Sequence, residues 1–153
     1  MNKSVVIISA LLFLATPAAA QYPRLAPSVK PLPQKLVPEL FEKIETKEEI
    51  PLLLLYQALV GPQTTLRAYA ATALGEHGNR TSIAYLIDAL ADDSVHVGAN
   101  YREAGMATTR YRANESLKKL TGKDFGFVWN DPAEQRQEAI ARWREWYNKG
   151  RSR

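Results

Sequence analysis

The chain has 153 residues, and none of them is cysteine. This absence excludes disulfide bonds, thiolate metal sites, haem attachment through cysteine and a lipidated cysteine. Only two histidines are present, so a metal centre with four histidine ligands is also excluded. No serine or threonine has a histidine and an aspartate in a recognisable catalytic order. We therefore expect no catalytic residues, no metal and no cofactor, and a stability that comes from packing.

Long hydrophobic runs are equally scarce. The clearest one, residues 5–14, is shorter than the roughly 20 residues that a spanning helix needs. Lys3 precedes this run, Pro17 follows it, and Ala18-Ala19-Ala20 supplies small residues for cleavage. Residues 1–20 are therefore predicted to be a secretory signal peptide, with an uncleaved N-terminal anchor as the alternative. We expect an exported protein without a membrane span after the signal is removed.

The charges are distributed unevenly along the chain. Residues 39–99 contain four Lys or Arg against nine Asp or Glu, whereas residues 100–153 contain twelve against seven. In a stack of helices the sequence order is also the spatial order. One end of the folded domain is thus predicted to be acidic and the other basic, and a chance scatter of solvated charges is the alternative.

Prolines are concentrated in residues 21–37, directly after the predicted signal peptide. This segment has no hydrophobic period, and its composition is typical of extended, partly polyproline-like chain. We predict a proline-rich linker or arm. A spacer is the favoured role, and the alternative is an arm that lies along the groove of a partner.

A helical unit occurs twice in the remaining sequence. Ala58-Leu59 recurs as Ala89-Leu90, and Arg67-x-x-Ala70-x-x-Ala73-Leu74 recurs as Arg110-x-x-Ala113-x-x-Ser116-Leu117. Such a unit cannot bury its apolar face alone and has to stack on its neighbours. We predict an all-α fold, a short α-solenoid of antiparallel helix pairs, for residues 38–150.

Hydrophobic spacing and capping signals predict six helices in this domain. Their predicted bounds are residues 38–45, about 47 to 60, 66–74, 82–90, 111–120 and 132–149. Thr46 to Glu49 is interpreted as a capping box for the second helix, and Ser82 as the cap of the fourth. Gly75 and Gly78 are predicted to form the turn after the third helix.

The last helix is predicted to close the solenoid with an aromatic face. Trp143 and Trp146 lie on one side of it, and basic residues such as Arg142 and Arg144 are interleaved with them. Tryptophans interleaved with arginines are also found in nucleic-acid-binding proteins. Export and the expected burial of the tryptophans argue against that, so we expect no nucleic-acid partner. Residues 151–153 form a short basic tail.

The two copies of the unit differ by an insertion of twelve residues between Ala91 and Thr109. Insertions in repeat proteins fall in loops on one face, which is often the binding face, although a tolerated surface loop is equally consistent. A weak metal site from the two aspartates and the histidine of this insert is conceivable, but a solvent-facing loop is the default. The candidate partner-binding residues are those of the insert and of the basic end: Asp92, Asp93, His96, Asn100, Tyr101, Arg102, Glu103, Arg142, Arg144, Lys149 and Arg151.

The helix Arg-x-x-Ala-x-x-Ala-Leu, followed by Ser-Ile-x-x-Leu-Ile-x-Ala-Leu, resembles HEAT repeats of the compact PBS-lyase-like type. The segments 117–126 and 139–146 are similar to the closing part of bacterial exported HEAT-repeat proteins, and the whole resemblance covers roughly residues 50–150. It implies protein binding and scaffolding in the periplasm or another non-cytoplasmic compartment of a bacterium. In HEAT repeats the arginine at the position of Arg67 and Arg110 usually serves packing and hydrogen bonding between helices.

Two functions remain open. The first is a non-catalytic subunit that binds a larger exported protein or complex. Head-to-tail contacts between its acidic and basic ends would promote rings, filaments or tubules, for example of a larger enzyme. The second is a small-ligand or anion-binding protein, or an enzyme, whose site is the concave groove of the second helices near Arg67, Tyr69, Arg110 and Arg112.

Overall fold

The computed structural model describes residues 22–94 and 108–151, and all regular secondary structure within them is helical. The predicted signal peptide, most of the insert and the last two residues of the basic tail lie outside the described residues. A short 3-10 turn, Gln34–Leu36, leads into the first helix. The helices are α1 (Val37–Thr46), α2 (Leu52–Leu59), α3 (Thr64–His77), α4 (Arg80–Ala89), α5 (Thr109–Thr121) and α6 (Ala133–Lys149). The predicted all-α class is confirmed.

The helix contacts follow the two copies of the sequence unit. Helix α2 packs on α3, and α4 packs on α5. Helix α2 also contacts α4, while α3 makes its most extensive contact with α5. The first helices of the two copies therefore meet each other, and so do the second helices. At the two ends, α1 contacts α3 and α6 contacts α4.

Small residues bring α3 and α5 close together. Gly75 lies inside α3, and a Cβ atom built on it would be 2.7 Å from the Cβ and 2.9 Å from the Cα of Ser116 on α5. The Ser116 hydroxyl donates a hydrogen bond to the Ala71 carbonyl at 2.8 Å. The predicted turn at Gly75 is wrong, because α3 continues to His77 and this glycine serves the close contact between helices.

The end of α1 also differs from the prediction. Thr46 is the last residue of α1, and its hydroxyl donates to the Glu42 carbonyl at 2.9 Å. Lys47 follows in the left-handed conformation with φ 56° and ends the helix. Helix α2 begins only after Pro51. The predicted capping box is therefore wrong, since its residues terminate one helix and do not start the next.

The cap of α4 is Asn79, three residues before the serine that was predicted. Its side-chain oxygen accepts from the amides of Thr81 at 2.9 Å and Ser82 at 3.3 Å. The Ser82 hydroxyl accepts from the Asn79 amide at 3.0 Å. Ser82 is thus the reciprocal partner of a capping box. It is fully buried and also hydrogen-bonds the Tyr56 hydroxyl, which joins α4 to α2.

The aromatic face of α6 packs inward, as predicted. Trp143 is fully buried and lies edge-on to Phe125 and Trp146, with ring centroids 4.7 and 5.8 Å apart. Gly126, with φ 72°, makes the turn that places Phe125 against Trp143. Helix α6 itself begins at Ala133, one residue later than predicted, and has no side-chain cap.

The proline-rich segment is not a free spacer within residues 22–33. It lies against the helices of its own chain, and Ala26 and Leu32 are buried in the core. We refer to residues 22–33 as the arm. None of the helices in the described parts of the chain combines the length and the apolar composition needed to cross a bilayer.

Candidate partner-binding site

Arg67 joins the two copies of the helical unit. Its Nε donates to Asp92 Oδ2 at 2.7 Å, its Nη1 to the Gly61 carbonyl at 2.8 Å, and its Nη2 to Ser94 Oγ at 2.6 Å. The side chains of Arg67 and Asp92 are only 15% and 16% exposed. The guanidinium therefore links the turn after α2 to the turn after α4.

Burial raises the pKa of the Asp92 carboxyl, but hydrogen bonds from Arg67 and Ser94 outweigh burial and hold that pKa below its ordinary value. The carboxylate is thus stabilised in its charged form. A charged, nearly buried pair of this kind fixes the geometry of the turn.

Arg110, the equivalent of Arg67 in the second copy, is also engaged inside the molecule. Its Nη1 donates to Asp93 Oδ1 at 2.8 Å, and the same oxygen accepts from Arg136 Nη2 at 2.7 Å. Burial, followed by repulsion from Arg136, lowers the pKa of the Arg110 guanidinium. We refer to Arg67, Asp92, Asp93, Arg110 and Arg136 as the Arg–Asp cluster.

Arg136 was not among the candidate residues, although the sequence carries a signal for it. Arg136-x-x-Ala139-x-x-Arg142-Trp143 follows the pattern of the two repeated helices, with Trp143 in place of the leucine. Ala139 and Trp143 are fully buried, like their equivalents. The third position, which is small in both repeats, is the exposed Arg142.

Only some of the basic residues predicted to form a surface at the C-terminal end are exposed to solvent. Arg144 turns inward and pairs with Asp88 at 3.2 Å, with side-chain exposures of 11% and 12%. Arg142 donates from Nε to the Phe125 carbonyl at 3.0 Å and remains half-exposed. Lys149 and Arg151 are exposed, and Lys149 pairs with Glu145 at 2.7 Å.

The remaining candidates of the insert fall outside the described residues: His96, Asn100, Tyr101, Arg102 and Glu103. Asp92 and Asp93 are described, and both carboxylates belong to the Arg–Asp cluster. Together with Asp88, they are three of the acidic residues behind the predicted charge asymmetry. Part of that asymmetry is therefore neutralised inside the molecule.

A groove of about 360 Å³ lies between the C-terminal end of α1 and the exposed side of α3. Its apolar lining includes Ile44, Ile50 and Ala68. Tyr69 is 42% exposed in this groove and stands edge-on to Phe41, with ring centroids 5.6 Å apart. We refer to this site as the α1–α3 groove. An exposed tyrosine over an apolar floor is a common anchor in protein interfaces.

The charges around the α1–α3 groove do not cancel. Lys43 lies 3.7 Å from Glu39 and 4.0 Å from Glu48, and Glu76 lies 3.9 Å from both His77 and Lys119. Two further cations line the groove, Lys47 and the half-buried Arg112. Within residues 22–94 and 108–151, neither has a carboxylate within ion-pair distance. The groove therefore presents unpaired positive charge beside its aromatic anchor.

Two of the four residues that were predicted near a groove of the second helices lie at the α1–α3 groove. Tyr69 and Arg112 line it, whereas Arg67 and Arg110 belong to the Arg–Asp cluster. Lys47 was not predicted as a groove residue. No group of three or more metal-binding side chains occurs in the described part of the chain.

No protein-family model, curated protein or solved structure matches this chain. The resemblance to HEAT repeats therefore rests on the sequence pattern alone.

Proposed function

We propose that this protein is a non-catalytic, protein-binding subunit of an exported complex, and that its α1–α3 groove holds an acidic segment of a larger partner protein. The observation that carries this proposal is the pair of unpaired cations, Lys47 and Arg112, beside the exposed ring of Tyr69. A carboxylate-rich segment with an aromatic or aliphatic residue would complement both features.

The proposed architecture is a short α-solenoid of antiparallel, HEAT-like helix pairs. It is supported by the contacts of α2 with α4 and of α3 with α5, which are those expected when two copies of one unit stack. Solenoids of this kind bind partners through the exposed side of one helix layer. The α1–α3 groove lies on the exposed side of a second helix, which is consistent with that use.

The proposed compartment is the periplasm or another non-cytoplasmic space of a bacterium, reached through the signal peptide at residues 1–20. Self-association head to tail remains part of the proposal. Residues 37–49 carry five glutamates against two lysines, and four of these glutamates do not line the α1–α3 groove, so the α1 end outside the groove is acidic. Contact between this end and the exposed cations Arg142, Lys149 and Arg151 would build rings, filaments or tubules around a larger enzyme.

The test is binding of a short labelled peptide of glutamates around one phenylalanine, measured by fluorescence anisotropy at low salt. We expect saturable binding by the mature protein, at least tenfold weaker binding by the Lys47→Gln/Arg112→Gln double variant, and no binding of the same peptide with lysines in place of glutamates. Lys123→Gln is the matched control, because Lys123 is exposed and does not line the groove.

Affinity purification from the exported fraction then identifies the natural partner. We expect one partner in stoichiometric amount on the wild type and on Lys123→Gln, and its loss from the double variant. Equal retention by the double variant would overturn the groove as the binding site. Saturable binding of inorganic phosphate or citrate in place of the peptide would favour the small-anion alternative.

A further inference from the structure

The arm crosses three helices in order. The Leu32 amide donates to the Gln57 carbonyl on α2 at 3.1 Å, and Tyr85 on α4 donates from its hydroxyl to the Pro27 carbonyl at 2.8 Å. Further along, the Pro23 carbonyl accepts from Arg144 on α6. The arm therefore runs as a strap over α2, α4 and α6.

Asp88 is the centre of the site that holds the arm. Its carboxylate accepts from the Leu25 amide at 3.0 and 2.9 Å, and from the Ala26 amide at 3.0 Å. The same carboxylate accepts from Arg144 Nη1 at 3.2 Å. The Arg144 guanidinium in turn lies over the ring of Tyr22, 5.1 Å from its centroid. A nearly buried ion pair thus holds a bent, extended peptide through hydrogen bonds to its backbone.

Apolar contacts complete the recognition. Ala26 and Leu32 are 6% and 7% exposed, and the half-buried Leu25 and Val29 pack on the same core. We define the arm seat as the groups that hold the arm: Gln57, Tyr85, Asp88 and Arg144. The arm seat is therefore a built binding site for an extended peptide. A proline-rich peptide suits it, because proline lowers the entropy that such a peptide loses on binding.

We propose that the arm seat accepts the arm of a second copy of this chain, so that two molecules exchange arms in a closed, twofold dimer. The second copy is the fitting occupant because its arm supplies the same five backbone groups and the same buried side chains. The proposal goes beyond the function proposed above, since it concerns a different surface and a different partner.

The connection between the arm and α1 favours exchange. A single residue, Pro33, with φ −57° and ψ 135°, separates Leu32 from the 3-10 turn, so the connection is short and extended. Short connections leave little room for rearrangement within one molecule, and identical elements joined in this way exchange between copies. The arm has no helix or strand of its own, and its release breaks no contact between the helices themselves. Extended, its twelve residues span about 37 Å, which is enough to cross to a neighbouring molecule.

The test is complementation between two defective variants, read as mass by light scattering on a sizing column. Ala26→Pro removes an amide donor from the arm and leaves the seat intact. Asp88→Asn weakens the seat and leaves the arm intact. We expect wild type to reach twice the monomer mass as its concentration rises, each variant alone to stay monomeric, and the equimolar mixture to form a one-to-one heterodimer.

The control is Lys30→Ala, an exposed arm residue that takes no part in the seat contacts, and we expect it to dimerise like wild type. Wild type that stays monomeric at every concentration, or a mixture that stays monomeric where wild type dimerises, overturns the proposal. If Asp88→Asn does not fold by circular dichroism, Tyr85→Phe replaces it as the seat variant.

A labelled peptide of residues 22–33 tests the seat independently of dimer formation. It should bind Ala26→Pro saturably and bind the Asp88→Asn/Ala26→Pro double variant at least tenfold more weakly. Equal binding by both variants would contradict the assignment of the arm seat as the binding site of this peptide. Lys47→Gln/Arg112→Gln should leave exchange unchanged, so failure of this inference and failure of the proposed groove function are separate results.

Discussion

Arg67 and Asp92 come from different copies of the helical unit and meet at 2.7 Å, with both side chains about five-sixths buried. Arg67→Ala would leave the Asp92 carboxylate without its main partner. We expect the free energy of unfolding in urea to fall by about 3 kcal/mol, because an uncompensated buried charge is costly. Arg151→Ala, an exposed arginine beyond the end of α6, should change it by less than about 0.5 kcal/mol.

This experiment also separates the two roles that the sequence allows for Arg67. A lower melting temperature would support the structural role that its hydrogen bonds indicate. An unchanged melting temperature together with loss of anion binding would contradict it and support a ligand role.

The same ion pair predicts a pH dependence. The folded-state pKa of Asp92 is below the ordinary 3.8, so its contribution to stability is complete above the unfolded-state pKa and is lost as pH falls through the folded-state pKa. Asp92→Asn should therefore be less stable than wild type at neutral pH. We expect the difference in melting temperature to stay constant down to about pH 5 and to shrink below about pH 4. A difference that widens on acidification would contradict this.

Gly75→Ala is predicted to destabilise the protein, although alanine normally stabilises a helix interior by about 1 kcal/mol relative to glycine. The added Cβ would be 2.9 Å from the Cα of Ser116, so α3 and α5 would have to move apart. We expect a loss of about 1–3 kcal/mol in chemical denaturation. The neighbouring exposed residue offers the control Glu76→Ala, with a change below about 0.5 kcal/mol. A gain in stability from Gly75→Ala would show that the helices are not in close contact.

Lys47→Gly should change stability and binding in opposite directions. Lys47 is the one described non-glycine residue with positive φ, at 56°, and glycine adopts this conformation without strain. We expect stability to rise by about 0.5–1 kcal/mol, even though glycine makes the unfolded chain more flexible. Binding of the acidic peptide should weaken because the groove loses a cation. Lys47→Asn tests the charge separately, since asparagine tolerates the left-handed region and should also weaken binding.

The sequence predicted the helices well where burial decides the pattern. Ala70 and Leu74 on α3 and their equivalents Ala113 and Leu117 on α5 are buried, as the repeated spacing requires. Signals at helix ends were less specific. Asn79 and Ser82 are both good caps, and only the backbone geometry at Asn79 shows which one begins the helix.

The candidate site was less predictable because it depends on contacts between distant residues. Arg144 looked like a surface cation, yet its partner Asp88 lies 56 positions earlier in the chain. Tyr69 and Arg112 were predicted near a groove from their place on the repeated helices. Lys47 was missed, because its position in the groove follows from how α1 packs on α3 and from the left-handed turn that ends α1.

The position of the arm over α2, α4 and α6 also implies an order in which the parts of the chain fold. The hydrogen bond between Pro23 and Arg144 joins residues 121 positions apart. The arm is synthesised before the helices, so it can make this contact only after α6 has been synthesised. Until α6 is made, the arm lacks one side of its seat, and the apolar surface that Ala26 and Leu32 cover is open to water. Apolar surface that stays exposed during that interval invites aggregation. With the repeats already folded, docking of the arm onto α6 is therefore expected to be the last step of folding.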